Sequence, residues 1–358
     1  NLVIISYKDF LPQAENWANY RRGQGFTVKV VEVSEIYDEF NYGVLNAESI
    51  RTFLQYAKVN WQTPPSYVLL IGDASFDSRN YEGFGYLNLV PTKIVATVFN
   101  ETGSDEALAD FNNDGLAEMA VGRIPAQNAQ TVTNALAKVA AFEPSGSAEP
   151  FNRGALFAYD EYDSLNNYDF QQISTRVRNN LPSSMPVTMI GQTDVPPPPD
   201  TSKTLLISSM NTGKFVVNYA GHGSSGGWSS GGSFFSNLDV PLLTNTNNQS
   251  IFTMLTCLNG YFLQPSRISL AETLLTAANG GAVAAWASTG ETTPDVQEAM
   301  ASRFFLRLGQ GTIPRLGDLI NDAKTTIPGG VDVKLSWVLL GDPMLKVRLL
   351  QSGDRPQQ

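Results

Sequence analysis

Residues 215–224 read Phe-Val-Val-Asn-Tyr-Ala-Gly-His-Gly-Ser, an apolar run that leads into the only histidine of the 358-residue chain. Residues 251–260 read Ile-Phe-Thr-Met-Leu-Thr-Cys-Leu-Asn-Gly and contain the only cysteine. Both runs are rich in β-branched and aromatic residues, which is typical of buried strands. The sequence therefore predicts two buried strands that carry His222 and Cys257 just beyond their ends, each with a glycine close behind.

Strand and helix patterns alternate on both sides of these two runs. Residues 67–71 (Tyr-Val-Leu-Leu-Ile) form a continuous apolar run, as in a parallel strand that is buried on both faces. Residues 46–60 carry apolar side chains at helical spacing. Such alternation is the signature of right-handed βαβ units, whose ligands bind beyond the carboxyl ends of the strands. We therefore predict an α/β fold with mostly parallel sheets flanked by helices.

A segment with proline and glycine, residues 143–150, predicts a boundary between two subdomains. We expect an N-terminal α/β subdomain over residues 1–148, a catalytic α/β subdomain over residues 149–350, and a linker tail over residues 351–358. The chain begins almost inside a strand-like run, with neither an initiator methionine nor a signal peptide. We therefore expect flanking domains of a longer precursor.

The composition narrows the classes of partner. The formal net charge of −10 argues against nucleic acid or an anionic membrane surface and favours cationic substrates and divalent cations. The sequence contains no apolar run of roughly 18 residues or more, so we predict no transmembrane helix. Charged residues make up only 16% of the chain, and Asn, Ser, Thr and Gly replace them. This balance favours a secreted or cell-surface protein.

The single cysteine suggests nucleophilic chemistry. A thiol nucleophile needs a base nearby and N–H donors for the oxyanion, and the N–H groups of Gly223 and Cys257 could form such an oxyanion hole. The 35 residues between His222 and Cys257 (257 − 222) allow one crossover connection, so neighbouring strands could bring the two side chains together. The alternative is a buried cysteine that acts as a small apolar residue, with an unrelated core histidine.

Residues 110–118 suggest a second kind of site. Asp110, Asn112, Asp114 and Glu118 place side-chain oxygens at close spacing around Gly115, and a hard cation such as Ca²⁺ favours oxygen ligands of this kind. The loop is shorter than the roughly 12-residue EF-hand loop, so the match is partial. The alternative is an ordinary Asx turn that leads into the next strand.

Several motifs resemble those of the gingipain family of cysteine peptidases, which is related in fold to caspases and legumains. Residues 218–223, followed by Trp228, are similar to the family's His-Gly motif, and residues 256–262 to its Cys motif. Further resemblances lie at residues 67–73, 121–125, 287–289 and 337–343. The resemblance implies a caspase-like fold, endopeptidase activity on proteins or peptides, structural calcium and no organic cofactor.

The resemblance also implies roles for particular residues. His222 resembles the general acid/base and Cys257 the nucleophile. Family members have an acid that orients the histidine just after the first strand of the catalytic subdomain. In this chain that position makes Glu161 the first choice and Asp160 the second, although these acids could simply begin a polar loop.

Specificity follows less directly from the sequence. Asp169 lies near the place of the acid that holds the substrate guanidinium in arginine-cleaving gingipains, which suggests cleavage after Arg or Lys. Asp169 also suits the N-terminus of the following helix. We expect Trp286, Ser288 and Thr289 to form a wall of the substrate pocket. Two alternatives stay open: a catalytically silent family member that acts as an interaction or secretion-associated domain, and a processing peptidase with few protein clients.

Overall fold

The structure, a computed structural model, describes residues 1–143, 149–194, 200–229 and 234–347. Its strands are β1 (Leu2–Ser6), β2 (Val28–Glu32), β3 (Tyr67–Ile71), β4 (Lys93–Ala96), β5 (Glu101–Ser104), β6 (Ala120–Ile124), β7 (Ala155–Tyr159), β8 (Val187–Gly191), β9 (Val216–Ala220), β10 (Gly223–Ser224), β11 (Gly227–Trp228), β12 (Phe235–Ser236), β13 (Ser250–Leu255), β14 (Ala282–Ser288) and β15 (Trp337–Leu340). The predicted tail, residues 351–358, and most of the predicted linker lie outside the described residues.

The α-helices alternate with the strands of the main sheet over much of the chain. They are α1 (Leu11–Gly23), α2 (Val33–Asn41), α3 (Ala47–Asn60), α4 (Ala129–Phe142), α5 (Glu149–Asn152), α6 (Phe170–Arg178), α7 (Asp200–Asn211), α8 (Leu270–Thr276), α9 (Pro294–Gln310), α10 (Leu316–Lys324) and α11 (Val331–Ser336). Within the parts of the chain that the structure describes, no helix combines the length and the apolar character needed to cross a membrane.

Within the described residues, ten strands form one sheet in the order β2-β1-β3-β6-β15-β14-β13-β9-β7-β8. All neighbouring pairs are parallel except β14 and β15, which run antiparallel. The predicted α/β class and mostly parallel sheet are confirmed. The strands of the two expected subdomains join in this single sheet, because the late strand β15 also pairs with β6. The boundary near residue 148 stays a prediction.

The sheet is buried on both faces. In β1, Leu2 and Ile4 belong to one apolar cluster with side chains of α1 and α4, whereas Val3 and Ile5 belong to a second cluster with α2 and α3. Alternate residues of a strand point to opposite faces, so one strand contributes to both clusters. This two-sided burial explains why the strand runs are continuously apolar.

A buried ionic network fixes the end of β15 to the N-terminal half. Arg21 of α1 is fully buried, and its guanidinium donates to Asp342 at 2.7 and 3.0 Å and to Glu143 at 2.8 Å. Trp17 Nε1 also donates to Asp342, at 2.6 Å. Burial, the largest effect, raises the pKa of Glu143, but the charge of Arg21 and the hydrogen bonds from Arg21, Gln24 and Lys346 together outweigh it and lower that pKa. The network therefore keeps the carboxylate of Glu143 ionised inside the protein.

We predict that Arg21→Ala lowers the free energy of unfolding by about 3–5 kcal/mol, because it leaves the carboxylate of Asp342 buried without its guanidinium partner and leaves Glu143 paired with the more distant Arg315, at 3.7 Å. Urea denaturation measures the change. Arg22→Ala is the matched control: Arg22 pairs with Glu15 at the surface and should contribute only about 0–1 kcal/mol. Equal losses in the two variants would contradict the prediction.

Candidate active site

The two sequence runs that carry the histidine and the cysteine are neighbours in the sheet. Strands β9 and β13 are parallel and in register from Val216 opposite Ile251 to Ala220 opposite Leu255. His222 and Cys257 each follow this last pair by two residues (222 − 220 and 257 − 255). The two strands are therefore neighbours, as the expected pairing of the histidine and the cysteine required, and the catalytic roles of the two residues stay a prediction.

The backbone of His222 is held from both sides. Its N–H donates to the carboxylate of Asp160 at 3.1 Å. Its carbonyl oxygen accepts from the hydroxyl of Tyr219 at 2.7 Å and from the N–H of Ser229 at 2.8 Å. The ring of Tyr219 stacks on Trp228, with 4.5 Å between the centroids. Asp160, the second choice for the orienting acid, therefore contacts the histidine backbone.

The carboxylate that faces the imidazole belongs to Asp163. His222 Nε2 lies 3.1 Å from Asp163 Oδ2, and the imidazole packs edge-on against Phe170. Glu161, the first choice from the sequence, is exposed, and its backbone N–H donates to Asp160. Of these acids, Asp163 is the one that faces the ring, and the acid that orients the histidine in catalysis stays a prediction. The hydrogen bond from His222 could not be read from the chain, because it depends on how residues 160–168 fold back.

That fold-back also fixes the charge of Asp163. A backbone bridge pairs Asp163 with Tyr168, and Asp163 accepts from the side chain of Asn166 at 2.8 Å and from the N–H groups of Leu165 and Asn166. These hydrogen bonds, the one from the Asn166 side chain first, lower the pKa of Asp163. An ionised carboxylate only accepts, so the imidazole nitrogen facing it carries the proton. Nδ1 is then the nitrogen of His222 that can act as a base.

The thiol of Cys257 lies against the segment that follows β14. Its Sγ is 3.5 Å from the carbonyl oxygen of Thr292 and 3.4 Å from the N–H of the same residue. Burial, first of all, raises the pKa of the thiol, and the nearby charge of Glu291 adds to this effect. Leu258, the next residue, has a backbone φ of 61°, a conformation that residues other than glycine rarely adopt. Such strain is common at functional sites.

Gly223 is required by packing between the two loops. A Cβ at this position would lie 2.3 Å from Thr256 Oγ1, far inside normal contact. Asn259 adds a direct link, because its side-chain amide donates to the carbonyl oxygen of Ser224 at 2.6 Å. The histidine loop and the cysteine loop are therefore built as one unit. The oxyanion role predicted for the N–H groups of Gly223 and Cys257 stays a prediction.

The expected specificity residues are engaged elsewhere. Asp169 caps α6, where its carboxylate accepts from the backbone and the side chain of Gln172 at 2.9 and 2.7 Å. Trp286 is fully buried and packs against Phe304 and Trp337. Because Trp286 is fully buried, it does not form the wall of the substrate pocket that the sequence predicted.

The other two members of that wall are also buried. The hydroxyl of Ser288 donates to the carbonyl oxygen of Gly290 at 2.9 Å, and that of Thr289 bonds to the carbonyl oxygens of Gly103 and Ser336. Neither residue has surface that a substrate could reach. Both hold the base of the loop that follows β14, and their role is to position that loop.

In the candidate calcium loop, residues 110–118, the side-chain oxygens accept hydrogen bonds from the loop's own backbone. Side-chain oxygens of Asp110, Asn112, Asp114 and Glu118 accept hydrogen bonds from backbone N–H groups of the same loop, at 2.5–3.2 Å. Within the described residues, no group of three or more His, Cys, Asp or Glu is placed to share an ion. This arrangement is that of the Asx-turn alternative. Calcium binding stays a prediction.

A histidine and a cysteine on adjoining loops at one sheet edge are the arrangement that a cysteine peptidase requires. Comparisons with known proteins agree. The model of peptidase family C25 matches residues 1–348. The chain therefore belongs to peptidase family C25, as its resemblance to gingipains predicted.

Among relatives, Gingipain R2 and Gingipain R1 of Porphyromonas gingivalis are each 22% identical over 98% of this chain. The chain spans 46% of the length of the first and 34% of the second. Among solved structures, that of the Arg-specific cysteine proteinase gingipain R (RgpB) has a TM-score of 0.81 at 22% identity, covering 98% of this chain and 78% of that one. The complex of the RgpB pro- and mature domains of P. gingivalis has a TM-score of 0.81 at 21% identity, covering 98% and 80%. These similarities confirm the fold.

We predict that Gly223→Ala destabilises the protein by about 1–3 kcal/mol, because its Cβ overlaps Thr256. Within the described residues Thr256 Oγ1 is buried and has no hydrogen-bond partner, so Thr256→Ala should cost little by itself. The double variant should regain most of the loss, since alanine at 256 removes the overlapping atoms. Thermal unfolding of the four proteins measures this coupling. Additive effects of the two changes would contradict the packing argument.

Proposed function

We propose that this chain is a cysteine endopeptidase, with Cys257 as nucleophile and His222 as general base and acid. The observation that carries the proposal is the register of β9 and β13, which puts the two residues equally far beyond one strand pair. Membership of a peptidase family supports it. The chain spans less than half of its gingipain relatives, so activity and substrates are proposed for this segment and not transferred from them.

In the proposed reaction, Nδ1 of His222 takes the thiol proton while Sγ of Cys257 attacks the carbonyl carbon of the peptide. The N–H groups of Gly223 and Cys257 donate to the oxyanion that forms. The imidazolium then gives its proton to the leaving amine, and the C–N bond breaks to leave a thioester. His222 next takes a proton from water, which attacks the thioester and releases the acid and the thiol.

The two aspartates divide the support of the histidine. Asp163 accepts from the imidazole and stabilises the positive charge that develops on the ring during proton transfer. Asp160 accepts from the backbone N–H and fixes the position of the loop. We therefore place Asp163 in the role that the sequence resemblance suggested for Glu161 or Asp160.

For substrates, we propose peptides with a basic residue before the scissile bond. The net charge of −10 favours cationic substrates, and one structural neighbour is named as Arg-specific. Asp169 is a weaker candidate for binding this residue, because both of its oxygens accept within α6. A secreted or cell-surface location and flanking domains of a longer precursor, as expected from the sequence, belong to the same proposal.

One observation favours a second candidate function, a catalytically silent interaction domain. The thiol is bonded to Thr292, and its raised pKa keeps it protonated at neutral pH. A silent domain would share the fold and the loops but would not cleave peptides. The test below separates the two.

We predict that the chain hydrolyses a mixed peptide library and that Cys257→Ala abolishes hydrolysis while leaving the fold intact, because no other thiol exists in the sequence. Mass spectrometry of the products and circular dichroism of both proteins measure the two parts. Hydrolysis that persists in the variant would overturn the mechanism. An unmodified protein that cleaves nothing in the library would favour the silent domain.

We predict that Asp163→Asn lowers kcat/KM at least about 10-fold, because an amide cannot stabilise the imidazolium; full loss of acid–base catalysis costs about 10²–10⁴-fold. Glu161→Gln is the matched control, an exposed acid two residues away (163 − 161), and should change kcat/KM less than about 2-fold. Steady-state kinetics on one peptide substrate compares them. A larger loss in Glu161→Gln would return the role to Glu161.

A further inference from the structure

Residues 75–88, between β3 and β4, form a loop with large aromatic side chains on its surface, called the aromatic loop below. The chain on its two sides meets at Asp73, whose carbonyl oxygen accepts from the N–H groups of Leu89 and Val90, both at 3.0 Å. Single exposed apolar side chains are ordinary, but a concentration of them marks an interaction surface. Four aromatic side chains of the loop are between 43% and 82% exposed: Phe76, Tyr81, Phe84 and Tyr86.

Polar side chains of the aromatic loop hold its backbone in place. The carboxylate of Asp77 accepts from the N–H groups of Tyr81 and Glu82, both at 2.8 Å. The side-chain oxygen of Asn80 accepts from the N–H of Gly85 at 2.7 Å. The aromatic side chains are therefore presented on a backbone that is organised before a partner binds, which reduces the conformational entropy lost on binding.

The composition of the aromatic loop indicates a protein partner. Besides the four aromatic residues, residues 75–88 contain two serines, two glycines and two asparagines. Antibody binding loops have a similar mixture, in which tyrosine supplies contact area at a small cost in side-chain entropy and the small polar residues supply adaptable hydrogen bonds. The two exposed charged residues of the loop, Arg79 and Glu82, have opposite signs. The surface therefore fits an uncharged, apolar stretch of polypeptide.

The aromatic loop is attached to the loop that carries Cys257. The N–H of Phe76 donates to the carbonyl oxygen of Leu263 at 3.2 Å. Leu263 lies between Tyr261 and Gln264, and these two residues line an open cleft of about 450 Å³ together with Leu258, the residue after the nucleophile. The cleft and the aromatic loop therefore share a boundary at residues 261–264.

Resting on the peptidase function proposed above, we propose that the aromatic loop is a docking surface for protein substrates and binds an apolar stretch of the substrate chain at a distance from the scissile bond. Exposed aromatic side chains contribute strongly to binding once a partner covers their rings. The contact increases the affinity for long, unfolded polypeptides. Short peptides, which end within the cleft, do not reach it.

The shared boundary favours a substrate over a second copy of this chain as the occupant. A folded copy seated on the aromatic loop would also cover residues 261–264 and obstruct the cleft beside Cys257. An extended substrate chain, in contrast, can follow the surface from the cleft to the aromatic loop. Its cleavage at Cys257 and its binding at the loop are therefore compatible.

The first experiment measures binding without cleavage. The Cys257→Ala protein is titrated against fluorescein-labelled, dephosphorylated β-casein, an unfolded polypeptide, and fluorescence anisotropy gives Kd. We expect the combined change Tyr81→Ala, Phe84→Ala and Tyr86→Ala, the loop variant, to raise Kd at least about 10-fold. Tyr81→Ala alone should raise it about 3-fold, and this single change keeps the test valid if the loop variant does not fold.

The matched control replaces three exposed apolar residues on another part of the surface. Tyr42, Val44 and Val59 lie in and between α2 and α3 and are at least 62% exposed. Their combined change to alanine removes apolar surface in the same way and should alter Kd less than about 2-fold.

The second experiment uses the protein with Cys257 intact and compares two substrates, β-casein and a short fluorogenic peptide. We expect the loop variant to raise KM for casein at least about 10-fold while kcat stays within about 2-fold. Both constants for the short peptide should stay within about 2-fold. A merely structural role of the loop would lower activity on the two substrates equally.

Three results would overturn the inference: casein binding that is the same in the loop variant and the control, equal losses on casein and on the short peptide, or a dimer in sedimentation velocity that dissociates in the loop variant. The last result would assign the surface to a second copy of the chain. Cleavage is scored separately. Casein binding that depends on the aromatic loop, in a protein that cleaves no peptide, would refute the peptidase function while supporting the docking surface.

Discussion

The parallel register between β9 and β13 is the constraint on which the candidate site depends. A buried hydrogen bond fixes it: Thr253 donates to the side-chain oxygen of Asn218 at 2.8 Å, and these residues are direct partners in the ladder. A slip by one residue would separate the pair and leave both groups unpaired in the interior, and it would turn every side chain to the other face. Because of this register, His222 and Cys257 follow the ends of their strands at the same edge of the sheet. Gly223 then lets their loops close on Thr256.

Much of the fold was predictable because strands buried on both faces have a plain sequence pattern. The bounds of β3 agree with the predicted run at residues 67–71, since that run is apolar from end to end. The joining of two expected subdomains into one sheet was not predictable. It depends on β15, which lies near the end of the described residues and yet inserts between β6 and β14. Packing and the Arg21 network determine which strands pair when they lie so far apart in sequence. Neither of these can be recognised in a short stretch of the sequence.

The same distinction separates the site residues that the sequence predicted from those it missed. His222 and Cys257 could be found from the sequence, because each is the only residue of its type and follows a buried strand. The orienting acid was chosen among carboxylates within a few residues of one another, and the choice depends on a backbone bridge that turns Asp163 toward the ring. Trp286 was assigned to a pocket although all of β14 is buried, a fact that its run of small and apolar residues already indicates.

The electrostatics of the sulfur follow from opposing local effects. Burial and the charge of Glu291 disfavour the thiolate, while the N–H of Thr292, just before the N-terminus of α9, donates to the sulfur and favours it. Burial and the charge of Glu291 outweigh the hydrogen bond, so the pKa of Cys257 is raised and the thiol stays protonated. A cysteine at a helix N-terminus in a basic environment would instead be ionised before substrate arrives. For the proposed mechanism this means that proton transfer to His222 has to accompany the attack of the sulfur, because the thiolate is not formed in advance.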